Sequence, residues 1–238
     1  MILFVCIDDT DTVDSKYGTG RQGRRLMTRI DDVFDNLVPS GVVRQQLLVD
    51  PRVPYTTHNS CACLRFEIDG TVPTDAAIEQ IAGAFLRAES AAGSDPGLCI
   101  ANSERVTDAV VEFGRRAAED LLTEETAYDL ADDAGIYFEE YGGTGEGVIG
   151  ALAGVGRTTT GDLGRFIEYG SIREYEGPVD VATLRADGIR VTTNDGQRLT
   201  DGTIDSRRWV RPELRDGRPV LVVTRRDENW VSRNALDR

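Results

Sequence analysis

The order of the hydrophobic patterns in the first hundred residues most constrains how this chain can fold. Short apolar or alternating runs predict strands, and apolar residues spaced three or four apart predict helices. Strands are predicted at residues 1–7, 42–50 and 61–68, with a further short strand within 91–102, and helices at 18–37 and 75–90. This βαββαβ order is typical of a ferredoxin-like unit.

The remaining sequence contains both kinds of pattern. It predicts a long helical region over 107–131 with a break near Thr123, then a strand at 136–141, and then a helix of small residues after a glycine-rich loop. Short strands, a short helix and several Asp-Gly turns follow. We therefore predict an α+β protein with an N-terminal region at 1–125 and a second region at 126–238, packed together as one compact unit.

The charge of the chain argues against one class of function. A net charge of −14 is unfavourable for a protein that coats nucleic acid by neutralising phosphates. Seven arginines against Glu213 and Asp216 nevertheless give the stretch from Arg207 to Arg226 a local charge of +5. This stretch is either a solvated arginine-rich hairpin or a surface that docks a phosphate-bearing partner.

The cysteines and the apolar runs bear on the cellular compartment. Cys6, Cys61, Cys63 and Cys99 form no Cys-x-x-Cys pair, and the chain opens on a strand pattern where a signal peptide would have a basic and then an apolar segment. No apolar run approaches the ~18 residues of a membrane span. We expect a cytoplasmic protein with reduced thiols and no membrane partner.

The stretch IDDTD at the end of the first predicted strand suggests a metal site. Asp8, Asp9 and Asp11 repel one another unless a cation or water lies between them. Mg²⁺ prefers oxygen ligands, takes one or two protein carboxylates and completes its shell with water and substrate phosphates. The three aspartates are therefore candidate Mg²⁺ ligands and catalytic residues. The alternative is a solvated turn that caps the next element.

Two glycine loops, each between a predicted strand and a predicted helix, are candidate phosphate sites. Bare backbone N–H groups and the positive end of the following helix attract anions. Neither loop is a Walker motif or a dinucleotide-binding fingerprint. The candidate residues are Lys16, Gly18, Thr19 and Gly20 at the first loop and Gly143, Thr144, Gly145 and Gly147 at the second.

Alternatives stay open at both loops. Thr19 can cap its helix, bind a phosphate oxygen or accept a phosphoryl group. Gly150 and Gly154, beyond the second loop, can serve close helix packing rather than ligand binding. Together with the carboxylates, two such loops favour a nucleoside triphosphate and its metal.

The single histidine lies in a polar stretch, PRVPYTTHNS. His58 and Asn59 are candidates to hold the acceptor or the γ-phosphate, and the alternative is a merely exposed loop. We reject a zinc site of His58 with Cys61 and Cys63. A Cys-x-Cys pair in an alternating strand puts both thiols on one face of the core, and zinc sites usually have four ligands.

In this order and spacing, several motifs resemble the archaeal tRNA-isoleucine 2-agmatinylcytidine synthetases (TiaS) and their shorter relatives. They are IDDTD with its glycine-threonine turn, P-x-x-P-Y-T at Pro51 to Thr56, GEGVIGALAGVG, and a late PVLVV strand at Pro219 to Val223. The resemblance extends over nearly the whole chain.

The resemblance implies a kinase-like ATP-binding α/β region combined with ferredoxin-like elements. In TiaS, ATP activates a cytidine base so that agmatine can replace its carbonyl oxygen. By motif, the resemblance assigns Mg²⁺ and triphosphate to Asp8, Asp9 and Asp11, a phosphorylated threonine to Thr19, and phosphate contacts to Gly143, Gly145 and Gly147.

Two features depart from TiaS. TiaS continues into an OB-fold and a zinc ribbon, the parts expected to grip a tRNA, and this sequence reads Thr57-His58-Asn59-Ser60 where TiaS reads like T-R-G-N. We expect an enzyme that uses Mg·ATP to activate a substrate by phosphoryl transfer, with an RNA cytidine or a small molecule as acceptor. The alternative is a non-catalytic nucleotide-binding regulatory module. The acceptor and the formation of a homodimer stay open.

Overall fold

The computed structural model describes residues 1–53, 56, 58–227 and 229–233, which form two compact units, Met1–Thr160 and Gly161–Arg238. The chain is a mixed α+β protein, as predicted. The units divide after Thr160 rather than after residue 125. The reason is that the strand and helix between these two positions pair with and pack on the sheet of the first unit.

The elements of the first unit are β1 (Ile2–Asp8), α1 (Thr19–Asp31), β2 (Leu37–Gln46), β3 (Ser60–Ile68), α2 (Asp75–Glu89), β4 (Gly97–Asn102), α3 (Asp108–Arg116), α4 (Glu124–Ala134), β5 (Tyr137–Glu140) and α5 (Gly147–Thr159). The predicted βαββαβ order of elements is present. The five strands form a sheet in the order β5-β4-β1-β3-β2, with every neighbouring pair antiparallel.

Helices cover both faces of this sheet. Successive residues of a strand point to opposite faces, so Cys61 and Ala62 mark the two sides of β3. On one side, a Cβ at Gly154 of α5 would lie 2.3 Å from the sulfur of Cys6 and 2.5 Å from that of Cys61. On the other side, a Cβ at Gly23 of α1 would lie 2.8 Å from the Cβ of Ala62. The close-packing interpretation of Gly154 is therefore confirmed.

The core on the α5 side contains all four cysteines. They are free thiols, fully buried among small and aromatic side chains from β1, β3, β4 and α3–α5. Cys61 and Cys63 share this face, as the alternation of β3 predicts. Burial raises the pKa of the Cys6 and Cys99 thiols well above their usual value, which keeps them protonated and chemically quiet.

The long helical region predicted over 107–131 consists of two helices, because two threonines each begin one. The side chain of Thr107 accepts a hydrogen bond from the N–H of Val110 at the start of α3. Thr123 accepts one from the N–H of Thr126 at the start of α4, the position at which the break was predicted. Such caps satisfy N–H groups that have no partner within the helix.

Helices α3 and α5 cross at a glycine, where substitution is expected to be costly. A Cβ at Gly156 would lie 2.2 Å from the carbonyl oxygen of Val110. We expect Gly156→Ala to lower the free energy of unfolding by about 1–3 kcal/mol in urea titrations, although alanine is the better helix former. The matched control is Gly83→Ala in α2, where the three atoms nearest to a Cβ all belong to the side chains of Glu79 and Tyr141, with no backbone atom among them. If both variants lose the same free energy of unfolding, the close contact of Gly156 with Val110 is not the cause of the loss.

The second unit is a small β-rich unit with its own buried core. Its elements are β6 (Arg165–Glu168), β7 (Pro178–Asp180), α6 (Val181–Ala186), β8 (Arg190–Thr193), β9 (Thr203–Asp205), β10 (Glu213–Arg215), β11 (Arg218–Arg226) and β12 (Asn229–Ser232). The strand order is β6-β10-β11-β12-β9-β7, and β8 pairs in parallel with β11. The late PVLVV strand predicted from the sequence lies within β11.

Candidate functional site

The C-terminal end of β1 carries the IDDTD aspartates. It lies between the first turns of two helices, α1 and α5, each of which follows a glycine loop. Asp8 points to the same side of the sheet as Cys6, because the two residues are two apart in β1. There, a Cβ at Gly150 of α5 would lie only 1.7 Å from Asp8 Oδ2. Asp11 turns the other way and bonds to the first residue of α1. The structure therefore brings IDDTD against the first glycine loop and against α5, the helix that follows the second loop, and Gly150 serves close packing.

Thr19 joins the IDDTD stretch to α1. Its hydroxyl donates to Asp11 Oδ1 at 2.9 Å and accepts from the N–H and the hydroxyl of Thr10 at 3.2 and 3.1 Å. Its backbone N–H donates to the same Asp11 oxygen at 3.2 Å. Gly18 is the N-cap residue, so the capping alternative for Thr19 is wrong. Thr19 is 7% exposed, and its predicted role as a phosphoryl acceptor stays a prediction.

Lys16 lies at the entrance to this loop, on an exposed cationic surface. The Lys16 ammonium is 5.2 Å and the Arg21 guanidinium 4.0 Å from the centre of the Tyr17 ring. The Lys16 side chain lowers the pKa of the Tyr17 phenol by a hydrogen bond. Gly20 is the second residue of α1. The first loop thus carries positive charge on its solvent side and the Asp11 carboxylate on its inner side.

The second loop has a backbone that favours glycine. Gly142, Gly143 and Gly145 have φ values of 146°, 70° and 93°, a region that other residues rarely adopt. The carboxylate of Asp95 accepts hydrogen bonds from the N–H groups of Thr144 and of Gly145, the latter at 3.3 Å. The N–H groups predicted to bind phosphate are therefore bonded to a side-chain carboxylate of the chain itself.

Gly147 has a packing reason to be glycine. A Cβ at this position would lie 1.8 Å from the carbonyl oxygen of Asp95 and 2.9 Å from the nitrogen of Gly97. This contact fixes the start of α5 against the start of β4. It explains the residue without a ligand, and the predicted phosphate contact of Gly147 stays a prediction.

Two carboxylates of the IDDTD stretch are hard to ionise in this protein. Burial, followed by the negative charge of Asp9, raises the pKa of Asp8 to about 8. Burial, followed by the charges of Asp95, Asp11 and Glu146, raises the pKa of Asp9 to about 6. Asp9 also has a φ of 46°, a left-handed conformation that aspartate tolerates better than most residues. The charges that raise these values are all carboxylates, so a bound cation would lower both.

The three aspartates do not converge on one point. Asp8 faces α5, whereas Asp11 faces α1. Within the residues that the structure describes, no three His, Cys, Asp or Glu side chains are grouped closely enough to hold a metal ion. The predicted joint ligation by Asp8, Asp9 and Asp11 is thus not preformed. One or two of these carboxylates, with substrate oxygens and water, would be the protein contribution to a Mg²⁺ site.

The polar stretch that contains His58 contacts the IDDTD aspartates through Thr56 rather than through the predicted His58 and Asn59. The hydroxyl of Thr56 donates to Asp11 Oδ2 at 3.2 Å. Asn59 instead supports the connection between β2 and β3, because its side-chain amide donates to the carbonyl oxygen of Leu48 at 2.7 Å. His58 is exposed, and in the described part of the chain no hydrogen bond joins His58 or Asn59 to the aspartates. Of this stretch, Pro54, Tyr55 and Thr57 lie outside the described residues.

Three further residues lie at the candidate site although no sequence pattern predicted them, namely Thr10, Asp95 and Glu146. Asp95 stands in a Ser-Asp-Pro-Gly turn, a pattern that indicates a turn and nothing more. Its partner Thr144 lies 49 residues further along the chain. Such a contact depends on the pairing of β4 with β5, which no local spacing indicates.

Comparisons with known proteins agree with the resemblance at the level of the fold. No protein-family model matches the sequence, and no curated protein matches it. Among solved structures, apo TiaS (tRNAIle2 agmatidine synthetase) superposes with a TM-score of 0.54 at 21% identity, over 66% of this chain and 35% of the TiaS chain. Two thirds of this chain have the fold of TiaS. The sequence motifs suggested a resemblance to TiaS over nearly the whole chain. The structural match covers less, 66% of the chain.

Two further solved structures give the same result. The TiaS–tRNA(Ile2)–ATP complex and a tRNA fluorescent labeling enzyme each have a TM-score of 0.54 at 22% identity, over 66% of this chain and 36% of theirs. At this level of identity the likeness to TiaS is one of fold. The chain spans about a third of the length of these proteins.

Proposed function

We propose that this chain binds Mg·ATP at the end of β1 and uses it to activate a substrate by phosphoryl transfer. The observation that carries the proposal is the position of the IDDTD carboxylates between the first turns of α1 and α5, the helices of the two glycine loops. This arrangement lies in a chain that shares the fold of a protein solved with ATP and tRNA(Ile2). We further propose that β1–β4 with α1 and α2, in the antiparallel order β4-β1-β3-β2, are the ferredoxin-like elements and that the site belongs to a kinase-like region.

The residues present fit a divalent cation. Asp8 and Asp9 have raised pKa values because burial and neighbouring carboxylates disfavour their charged forms. A cation that binds them would remove this repulsion. Mg²⁺, when bound, supplies positive charge that neutralises the phosphates in the transition state. We propose Asp8 and Asp11 as its main protein ligands, with Asp9 in reserve. Because Asp8 faces α5 and Asp11 faces α1 in this structure, at least one of the two side chains has to turn toward the ion when it binds.

The chain's own groups would position the triphosphate rather than react covalently. Thr19 holds Asp11 in place through its hydroxyl and its N–H. Lys16, at the solvent side of the first loop, would pair with phosphate oxygens. The N–H groups of Thr144 and Gly145 would receive a phosphate at the second loop. His58 and Asn59 are proposed to contact the acceptor or the γ-phosphate.

The acceptor is proposed to be an RNA cytidine or a small molecule. One of the solved TiaS structures contains tRNA(Ile2), AMPCPP and agmatine. The test is an assay of purified protein with Mg·ATP, with and without tRNA and agmatine, that separates ADP, AMP and phosphate. Metal-dependent turnover stimulated by tRNA supports RNA modification. Absence of ATP hydrolysis or transfer under every condition contradicts the enzymatic proposal.

A second candidate function is a nucleotide-binding regulatory module, in which the arginine-rich second unit docks a partner. Five of its arginines are exposed and make no ion pair with a carboxylate among the described residues, namely Arg207, Arg208, Arg218, Arg225 and Arg226. Their charge suits a phosphate-bearing partner such as RNA. ATP binding without turnover, together with salt-sensitive RNA binding that is lost on replacing these arginines, would favour this candidate.

A further inference from the structure

The Asp95 side chain has a position that no local pattern explains. It projects from the turn before β4 into the second glycine loop, where its Oδ1 atom accepts the N–H groups of Thr144 and Gly145. The fit is close, because a Cβ at Gly143 would overlap the same oxygen. The loop thus encloses an anion, and the anion is a carboxylate of the protein.

Successive backbone N–H groups in a glycine-rich turn form a concave site for an anion. The same two N–H groups cannot bond fully to the Asp95 carboxylate and to a phosphate at once. Two negative groups at this point would also repel each other, and the carboxylates of Glu146 and Asp9 add negative charge nearby. A phosphate can therefore enter the loop only as Asp95 leaves it.

We propose that Asp95 occupies the phosphate position of the second glycine loop in the nucleotide-free protein and is displaced when ATP binds, so that Asp95 sets the affinity of the site for the triphosphate. The inference rests on the proposed function, since it concerns the same site. Rotation of a half-buried side chain is sufficient for the displacement. The backbone of the turn can stay in place, held by the contact of Gly97 with the start of α5.

The experiment compares Asp95→Asn with the wild-type chain by calorimetric titration of Mg·ATP and of Mg·triphosphate. Asparagine keeps the shape of the side chain, but a neutral acceptor forms a hydrogen bond about half as strong as that of a carboxylate. We expect Asp95→Asn to bind both ligands about tenfold more tightly. If Asp95 only anchors the loop, the variant loosens the loop and binds them more weakly or equally, and the proposal is overturned.

Glu146→Gln is the matched control for charge alone. Glu146 also raises the pKa of Asp9 through its charge, but it is not the carboxylate bonded in the loop. We expect Glu146→Gln to tighten triphosphate binding clearly less than Asp95→Asn. Equal gains in the two variants would mean that Asp95 acts only through its charge, which overturns displacement from the loop.

A second variant and a second readout keep the test independent of folding defects. Asp95→Ala empties the loop, and we expect it also to bind triphosphate more tightly, provided that its circular dichroism and unfolding midpoint match the wild type. Weaker binding by a folded Asp95→Ala chain would contradict displacement. If neither the wild type nor any variant binds ATP or triphosphate, the proposed function itself fails. If the wild type binds ATP and Asp95→Asn gains nothing, only the role of Asp95 fails.

Discussion

Asp8→Asn is expected to abolish Mg²⁺-dependent ATP turnover and, without Mg²⁺ at pH 8, to stabilise the fold. Loss of one charge that clamps a transferred phosphoryl group should lower turnover by about 10²-fold or more. The stabilisation has a separate cause. The Asp8 carboxyl is buried against α5 with a pKa of about 8, so asparagine removes a group that the folded chain accommodates poorly in its charged form.

The pH dependence follows from the sign of this shift. The unfolded Asp8 carboxyl ionises near its ordinary value of 3.8, whereas the folded one ionises near 8. Between these values the folded state holds a proton that the unfolded state has lost. The free energy of unfolding therefore falls as the pH rises from about 4 to about 8, by up to a few kcal/mol. Asp9, with a folded pKa of about 6, adds to the fall over the lower part of this window.

Urea unfolding of both chains from pH 4 to pH 8, without divalent cations, tests this expectation. The wild type should lose stability with rising pH, and Asp8→Asn should lose less. Asp69→Asn, at an exposed position in the first unit, is the control and should follow the wild type. Added Mg²⁺ should raise the free energy of unfolding at pH 8 more for the wild type than for Asp8→Asn. Retained Mg²⁺-dependent turnover in Asp8→Asn would contradict the metal assignment.

Thr19→Val is expected to weaken both the fold and the nucleotide site. Valine has nearly the same shape but removes the hydroxyl that bonds to Asp11 and receives two hydrogen bonds from Thr10. Leaving these buried groups without a partner should cost about 1–3 kcal/mol of unfolding free energy. Asp11 should also lose its fixed position, so ATP affinity should fall.

Thr19→Ser is the matched control, because serine keeps the hydroxyl and loses only a methyl group. We expect Thr19→Ser to retain most of the stability and of the ATP affinity in urea unfolding and calorimetry. Wild-type stability and affinity in Thr19→Val would show that the hydroxyl does not organise the site.

The parts of the candidate site were predictable from the sequence because each part is local. Each part lies within fewer than twenty consecutive residues. The parts are a carboxylate cluster that ends an apolar strand and two glycine loops that begin helices. These parts come together because α1 and α5 pack on the sheet that contains β1. The position of Asp95 was not predictable, because the contact depends on the pairing of β4 with β5.

The predicted start of the second strand was wrong because the sheet accommodates a proline and a glycine within that strand. The second strand was predicted at 42–50, but β2 begins at Leu37. Pro39 and Gly41 are residue types that weaken a regular strand. In the structure the pairing register shifts between Pro39 and Val42, Gly41 has a φ of 107°, and the strand continues through this bulge. The division of the chain into units was misplaced for a related reason, because β5 and α5 join the first unit by long-range packing.

Calorimetric titration of ATP into the wild-type chain, with and without Mg²⁺, is the decisive experiment for a Mg·ATP site at the end of β1. We expect saturable binding that requires or is strongly enhanced by Mg²⁺, and a clear loss of this enhancement in Asp8→Asn. If ATP does not bind in either condition, IDDTD is a structural turn in a protein that shares the fold of TiaS without its ligand.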